Sequence, residues 1–355
     1  MGIIVSLLVL SFLIFFHEFG HYLAAKLFKV KVERFSIGFG KILYKKYFAG
    51  TEWAISAFPL GGYVKLKGQD DLNPTLTNPD PDSYNSKKPW QRIVILFAGP
   101  FANLFLASVL YFIIAIMGNS ELAPVIGKVV KNSPAYEVGL KPKDKIIQIN
   151  GKNITTWEDL SKAISESKGS LELKIQRDNK IISLVVTPKV LETKNIFGEK
   201  VKKRMLGIAP SGDIIKVNYN PLEAIEVAFE KTVIASKMII VGIEKMIEGV
   251  VPLKDVGGVI SIMDLTAKAS QVGIEALFSL TALISVNLGI LNLLPIPALD
   301  GGHIMFNLYE MITRKIPSEE MIYRLTMAGW VILIMLMGLG IYNDINRLFL
   351  GVSNG

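Results

Sequence analysis

The sequence predicts a polytopic α-helical membrane protein: four transmembrane helices, a small membrane-associated β-sheet and one inserted α+β domain. Three observations carry this expectation. Four long stretches are almost free of charge: Met1 to Ala25 contains only Glu18, and Ile93 to Ser120, Ala276 to Leu299 and Leu325 to Asn343 contain none. Each reaches the roughly 17–25 residues that a helix needs to cross about 30 Å of hydrocarbon. Composition agrees, since half of the 355 residues are hydrophobic and 20% are charged, against about 25% charged in soluble domains. Finally, the segments between these stretches are polar and punctuated by glycine and Asn-Gly, the marks of strands and tight turns.

Residues 1–27 are read as the first helix. No Lys or Arg precedes Lys26, so the stretch lacks the basic start of a secretory signal and counts as mature structure. Residues 28–90 are a cytoplasmic β region and loop that dips towards the bilayer. Short strands are expected at Val32 to Ile37, Ile42 to Phe48, Trp53 to Phe58 and Tyr63 to Leu66, then a polar loop from Gln69 to Ser86. Residues 91–120 form the second helix, loosened at Gly99-Pro100. Residues 121–195 form a compact module with strands near Val125 to Val130, Lys145 to Ile149, Leu171 to Gln176 and Ile181 to Thr187, and a helix at Trp157 to Ser165. Its turns fall at Asn150-Gly151 and Asp178-Asn179. Residues 196–275 are a linker whose Pro221 to Glu248 stretch is too charged to span and suits an amphipathic helix lying along the interface or packed on the domain. Residues 276–299 are the third transmembrane segment, 300–324 a cytoplasmic loop, 325–343 the fourth helix and 344–355 a tail, with Asp344 at the interface.

The net charge of +8 needs no nucleic acid. Ten cations lie in Phe28 to Trp90, and Arg314, Lys315 and Arg324 lie in the later loop. The positive-inside rule puts both loops in the cytoplasm, with the long 121–275 segment and both termini outside. The absence of cysteine excludes disulfides, Cys-based zinc sites and thiol nucleophiles.

The chemistry concentrates in His17-Glu18-Phe19-Gly20-His21. Residues four apart share a helix face, so His17 and His21 can chelate one metal while Glu18 beside them takes a proton from water. Two of the chain's three histidines sit here. An ionised Glu18 in an uncharged span costs about 2.5–3.5 kcal/mol on insertion scales, and a metal in the cluster offsets that. The site would lie roughly 7–8 Å inside the cytoplasmic boundary. Catalytic zinc usually takes a third protein ligand. The segment Asn292-Leu293-Leu294-Pro295-Ile296-Pro297-Ala298-Leu299-Asp300-Gly301-Gly302 is the best source, because its prolines must open the helix and open backbone at membrane depth lines a cavity. Asp300 is the candidate; His303 is the rival. Asn287, Asn292 and Asn103 can form interhelical hydrogen bonds worth about 0.6 kcal/mol or hold substrate. Asn292 suits the second role, and Asn103 stays open between them.

HEFGH in the first span, the module that follows the second and NLLPIPALDGG in the third resemble, in order and over essentially the whole chain, the site-2 protease family of intramembrane metalloproteases. The resemblance is strongest to bacterial RseP-type members. The module, from SPAYEVGLKPKDKIIQINGKNITTWEDL, is similar to a PDZ domain, a fold that takes an extended peptide as an added strand. The resemblance implies a Zn²⁺ site on His17, His21 and Asp300, Glu18 as general base, and Asn292, Asn287, Pro295 and Pro297 against the substrate. It also implies a membrane-reentrant role for the Val32 to Leu66 sheet. Two departures stand out: there is room for one PDZ domain rather than two, and Gly257-Gly258 replaces the usual Gly-Pro before the third span.

The expectation is therefore a multi-pass zinc endopeptidase of the bacterial inner membrane. It would cut single-span membrane proteins of the anti-sigma factor or remnant signal peptide class. Its partners would be those substrates, the lipid bilayer, and a peptide or substrate tail at an extracytoplasmic PDZ domain. A metal transporter or a PDZ-bearing scaffold without activity are the alternatives. The first would show further intramembrane ligand sites, and the second would not need Glu18.

Overall fold

The computed structural model describes residues 2–69 and 78–349; part of the expected loop from Gln69 to Ser86 lies outside them. In chain order come helix α1 (Gly2–Leu27), strands β1 (Val32–Phe48) and β2 (Thr51–Leu66), and helix α2 (Pro89–Met117). Next are β3 (Asn119–Leu122), β4 (Ile126–Val129), α3 (Pro134–Glu137), β5 (Lys145–Ile149), β6 (Lys152–Asn153) and α4 (Trp157–Glu166). These are followed by β7 (Leu171–Arg177), β8 (Lys180–Val186), β9 (Lys189–Lys194), β10 (Lys200–Met205), β11 (Ile208–Pro210) and β12 (Ile214–Val217). The chain ends with α5 (Pro221–Ile247), α6 (Val259–Val272), α7 (Ile274–Asn292), α8 (Asp300–Thr313) and α9 (Glu319–Phe349). Two compact units result, residues 1–114 with 223–355, and residues 115–222.

Among the described residues, α1, α2, α7 and α9 are long and apolar enough to cross a membrane, in agreement with the four uncharged stretches. In the first unit, α6 packs along the N-terminal half of α1, where Ser6 Oγ donates to the Met263 carbonyl at 2.7 Å. The far end of α9 grips the start of α6. Asp344 accepts from the backbone N–H groups of Gly258 (2.9 Å) and Ser261 (3.1 Å) and from the Ser261 hydroxyl. Asp344 is 1% exposed and satisfies the free N–H groups that every helix start presents.

The expected four short strands appear as two long bent ones. The first half of β1 is paired on both edges: Phe35 faces Val64 on one side and Trp53 on the other. The spatial order is thus 62–66, 32–37, 52–58, 42–48, with bends at Gly38 and Gly40, both at positive φ, where a side chain would be strained. Segment 62–66 is a sheet edge. Phe35, Val32 and Leu66 bury against Tyr22 and Ala25 of α1 and Ile95 and Leu96 of α2, which fixes this edge beside the HEFGH turn of α1.

Helix α5 packs on α2: Thr232 hydrogen-bonds Ser108 of α2 at 2.9 Å, and Ala228 and Ala235 are buried with Leu106 and Leu110. Its small residues form one face, which lets it approach α2 despite the charges on the other. Residues 300–324 are not a plain loop, since α8 occupies 300–313 and Arg92 of α2 pairs with its Glu310 at 2.7 Å. The helix of the third segment stops at Asn292. The backbone then turns through 293–299, as the two prolines require.

The second unit holds a four-stranded antiparallel sheet in the order β6-β5-β7-β8. Asn150-Gly151 and Asp178-Asn179 all have positive φ, the conformation of a tight hairpin turn. Ile146, Ile149, Leu173 and Ile175 of the sheet bury against Leu160 and Ile164 of α4. Asp144 does more than form a turn: it is 1% exposed and receives two hydrogen bonds from Arg177 at 2.6 and 2.7 Å. The unit extends beyond the expected 121–195. Strand β12 pairs with β3, and β11 with β4, so residues expected in a linker close the fold.

Candidate metal centre

His17 and His21 are both nearly buried, 8% and 9% exposed, on one face of α1. Their Nε2 atoms lie 3.2 Å apart. Asp300 Oδ2, at the first turn of α8, lies 3.2 Å from His17 Nε2 and 3.5 Å from His21 Nε2. Gly301 and Gly302 make this position reachable. A Cβ on Gly301 would sit 2.3 Å from the Leu294 carbonyl oxygen, and one on Gly302 would sit 2.4 Å from that of Ile296. Only a pair without side chains lets α8 begin hard against the opened 293–297 backbone, which swings Asp300 towards the histidines.

Protonation follows from the hydrogen bonds. His21 Nδ1 is 2.8 Å from the Ile95 carbonyl oxygen. A carbonyl only accepts, so Nδ1 carries the proton and Nε2 of the neutral ring presents a lone pair. Asp300 Oδ2 is buried without a hydrogen-bond partner although two ring nitrogens are within 3.5 Å. With His17 Nε2 likewise unprotonated, three electron-pair donors would point at one volume, an arrangement that repels itself unless a cation occupies it. Tetrahedral zinc with ligands at about 2.0–2.1 Å sets neighbouring donor atoms about 3.3–3.4 Å apart. The observed 3.2 to 3.5 Å match that spacing, and the two-imidazole, one-carboxylate donor set suits the metal.

Around this point is a cavity of about 260 Å³. Glu18 lines it, beside Gly62, Tyr63 and Val64 of the sheet edge. Asn292, His303, Thr326 and Trp330 contribute to the other walls. Of the residues expected at the site, His17, Glu18, His21, Asp300 and Asn292 meet here. Asn287, Pro295 and Pro297 do not line the cavity: the first lies earlier on α7, and the prolines shape the turn that delivers Asp300. His303 lines it too, so all three histidines of the chain converge.

Sequence reasoning missed most of what α2 contributes. The α1–α2 crossing is close enough that a Cβ on Gly20 would lie 2.1 Å from the Ala98 carbonyl oxygen, and one on Gly99 would lie 2.2 Å from His21 Nε2. Gly99 is therefore a requirement of the site, not only a loosening of the helix. Gly99→Ala is expected to push the His21 ring aside and to cost at least tenfold in zinc affinity, measured by chelator competition on the purified protein. An affinity equal to the parent would show that α2 yields instead.

Comparison with known proteins agrees with this chemistry. The model of peptidase family M50 matches residues 5–336. A Campylobacter jejuni protein named "Putative zinc metalloprotease" is 50% identical over 344 residues, covering 97% of this chain and 93% of its own. Relatives of the same description from Helicobacter pylori (40% identical, 97% of this chain and 99% of theirs) and Clostridium acetobutylicum (35%, 95% and 95%) also align. The chain therefore belongs to peptidase family M50, the site-2 protease family of zinc metalloproteases.

Proposed function

We propose that the protein cleaves single-span membrane proteins within or near the bilayer, with zinc held by His17, His21 and Asp300. The observation that carries this is the set of three donor atoms at 3.2–3.5 Å, two of them on a helix long and apolar enough to span. Zinc supplies Lewis acidity, which polarises a carbonyl and acidifies water. Glu18 takes the proton of the attacking water and then delivers it to the departing amide nitrogen, so no net proton is gained. Asn292, on the opposite wall, orients the substrate backbone. The edge 62–66 offers its unpaired backbone groups to an unwound substrate segment, which adds as a strand. A peptide bond in a helix is otherwise shielded by its own hydrogen bonds.

In this reading the second unit is a single PDZ-like domain outside the cytoplasm of a bacterial inner membrane, and it admits or orients a substrate tail. The substrates are of the anti-sigma factor or remnant signal peptide class. Purified protein is expected to cut a model single-span substrate, to lose this on chelation and to regain it with zinc. Cleavage of an unfolded soluble peptide alone, with no cut in the membrane substrate, would overturn the reading. A reporter fused after Val190 should score extracytoplasmic; a cytoplasmic score reverses the topology.

A further inference from the structure

Both histidines on α1 are held from α2, and the two grips are alike. Ile95, Gly99 and Asn103 are spaced by four and form one stripe on that helix. Ile95 offers its carbonyl to His21 Nδ1, Gly99 makes room for the ring, and Asn103 meets His17 Nδ1 with its amide at 3.1 Å. Asn103 is fully buried. Its carbonyl is further fixed by a 2.7 Å hydrogen bond from Ser285 Oγ of α7, so its position is set from three helices.

The amide is drawn with Nδ2 facing His17, which leaves Asn103 Oδ1 buried and without a partner. Amide oxygen and nitrogen are interchangeable in shape and are assigned from the hydrogen-bond network. Turning the amide over pairs the orphaned oxygen with a proton on His17 Nδ1. That proton must be there if His17 Nε2 is to present a lone pair beside Asp300. One rotation gives the side-chain oxygen and the His17 Nδ1–H each a partner, and carries Nδ2 to the place Oδ1 held.

We infer that Asn103 is the positioning residue of His17, its side-chain oxygen accepting from Nδ1–H and so fixing the ring's tautomer and its aim at the metal. The inference rests on His17 being a zinc ligand. Partners of this kind, one step behind the ligand, change metal affinity by about 10–100-fold when removed. Asn103 matters through the oxygen, not through bulk: an isosteric apolar residue fills the space and loses the acceptor, whereas a carboxylate keeps it.

The test uses the full-length protein in detergent, with zinc affinity read by chelator competition and geometry by the visible spectrum after cobalt substitution. Asn103→Leu is expected to weaken zinc by about 10–100-fold and to alter the cobalt spectrum, while the metal-free protein melts as the parent does. Asn103→Asp is expected to bind zinc at least as tightly as the parent and to keep the parental spectrum. Parental affinity in Asn103→Leu would overturn the inference. So would an Asn103→Asp protein as weak as Asn103→Leu, because the acceptor would then be irrelevant. His17→Ala is the separating control: if it too binds zinc like the parent, the ligand assignment has failed, and the inference falls with it.

Discussion

Replacing Glu18 with Gln is expected to abolish cleavage, by at least 10³-fold, while zinc stays bound. The two side chains have the same shape, so glutamine occupies the same place on the cavity wall. What it cannot do is take a proton from water. Proton transfer by a positioned side chain contributes about 10²–10⁴-fold, and among the described residues that line the cavity the other carboxylate is Asp300, which faces the two imidazoles. Glu18 lies outside the three-residue donor set, so metal content should not fall. Zinc stoichiometry and cleavage of a single-span substrate, measured on the same preparation, decide the matter. Cleavage undiminished with zinc in place would remove Glu18 from the chemistry.

The second large effect is expected of Asp300→Ala, which should strip zinc from the protein by at least 100-fold in affinity and activity with it. Two neutral imidazoles would remain as ligands, and the one negative charge that balances a dication in a buried site would be gone. Among the described residues, the three-residue donor set contains no second carboxylate. Asp300→Asn should fall between parent and alanine, since it retains an oxygen without the charge. Zinc retained stoichiometrically by Asp300→Ala would transfer the third-ligand role to His303, one turn further along α8 and on the same cavity wall. The Asp300→Ala, His303→Ala double variant would then lose it.

The sequence made the candidate site legible, because its proposed chemistry depends on side-chain type and short spacing. His17, Glu18 and His21 are a local helical pattern. Asp300 follows a pair of prolines whose effect on the backbone is equally local. What stayed hidden depends on long-range approach. Asn103 is an unremarked amide until α2 crosses α1 eighty-six residues away, and nothing in the surroundings of Gly99 announces that a ring lies against it. The role of Asp344 at the start of α6 likewise depends on an approach across more than eighty residues. Strand β12 is four residues long and alternates weakly; it becomes a strand because β3 is there to pair with it. Helix α6 carries Asp264 and Lys268 and follows two glycines, so it lacks the apolar continuity that marked the spans. Helix α8 opens on Asp-Gly-Gly, a combination that reads as a turn unless the close packing against 293–297 is known.

The crossing at Gly20 and Ala98 has a consequence for how the enzyme can open. Backbones that touch without intervening side chains are interlocked, and a slip of one helical turn, about 5.4 Å, would carry Ile95 and Asn103 off both imidazoles at once. Gating by movement of α2 against α1 would therefore dismantle the catalyst every time it admitted a substrate. The α1–α2 pair must behave as a fixed frame. Whatever door the protein has is hung on the elements around it, where packed interfaces can switch between discrete arrangements without disturbing the metal.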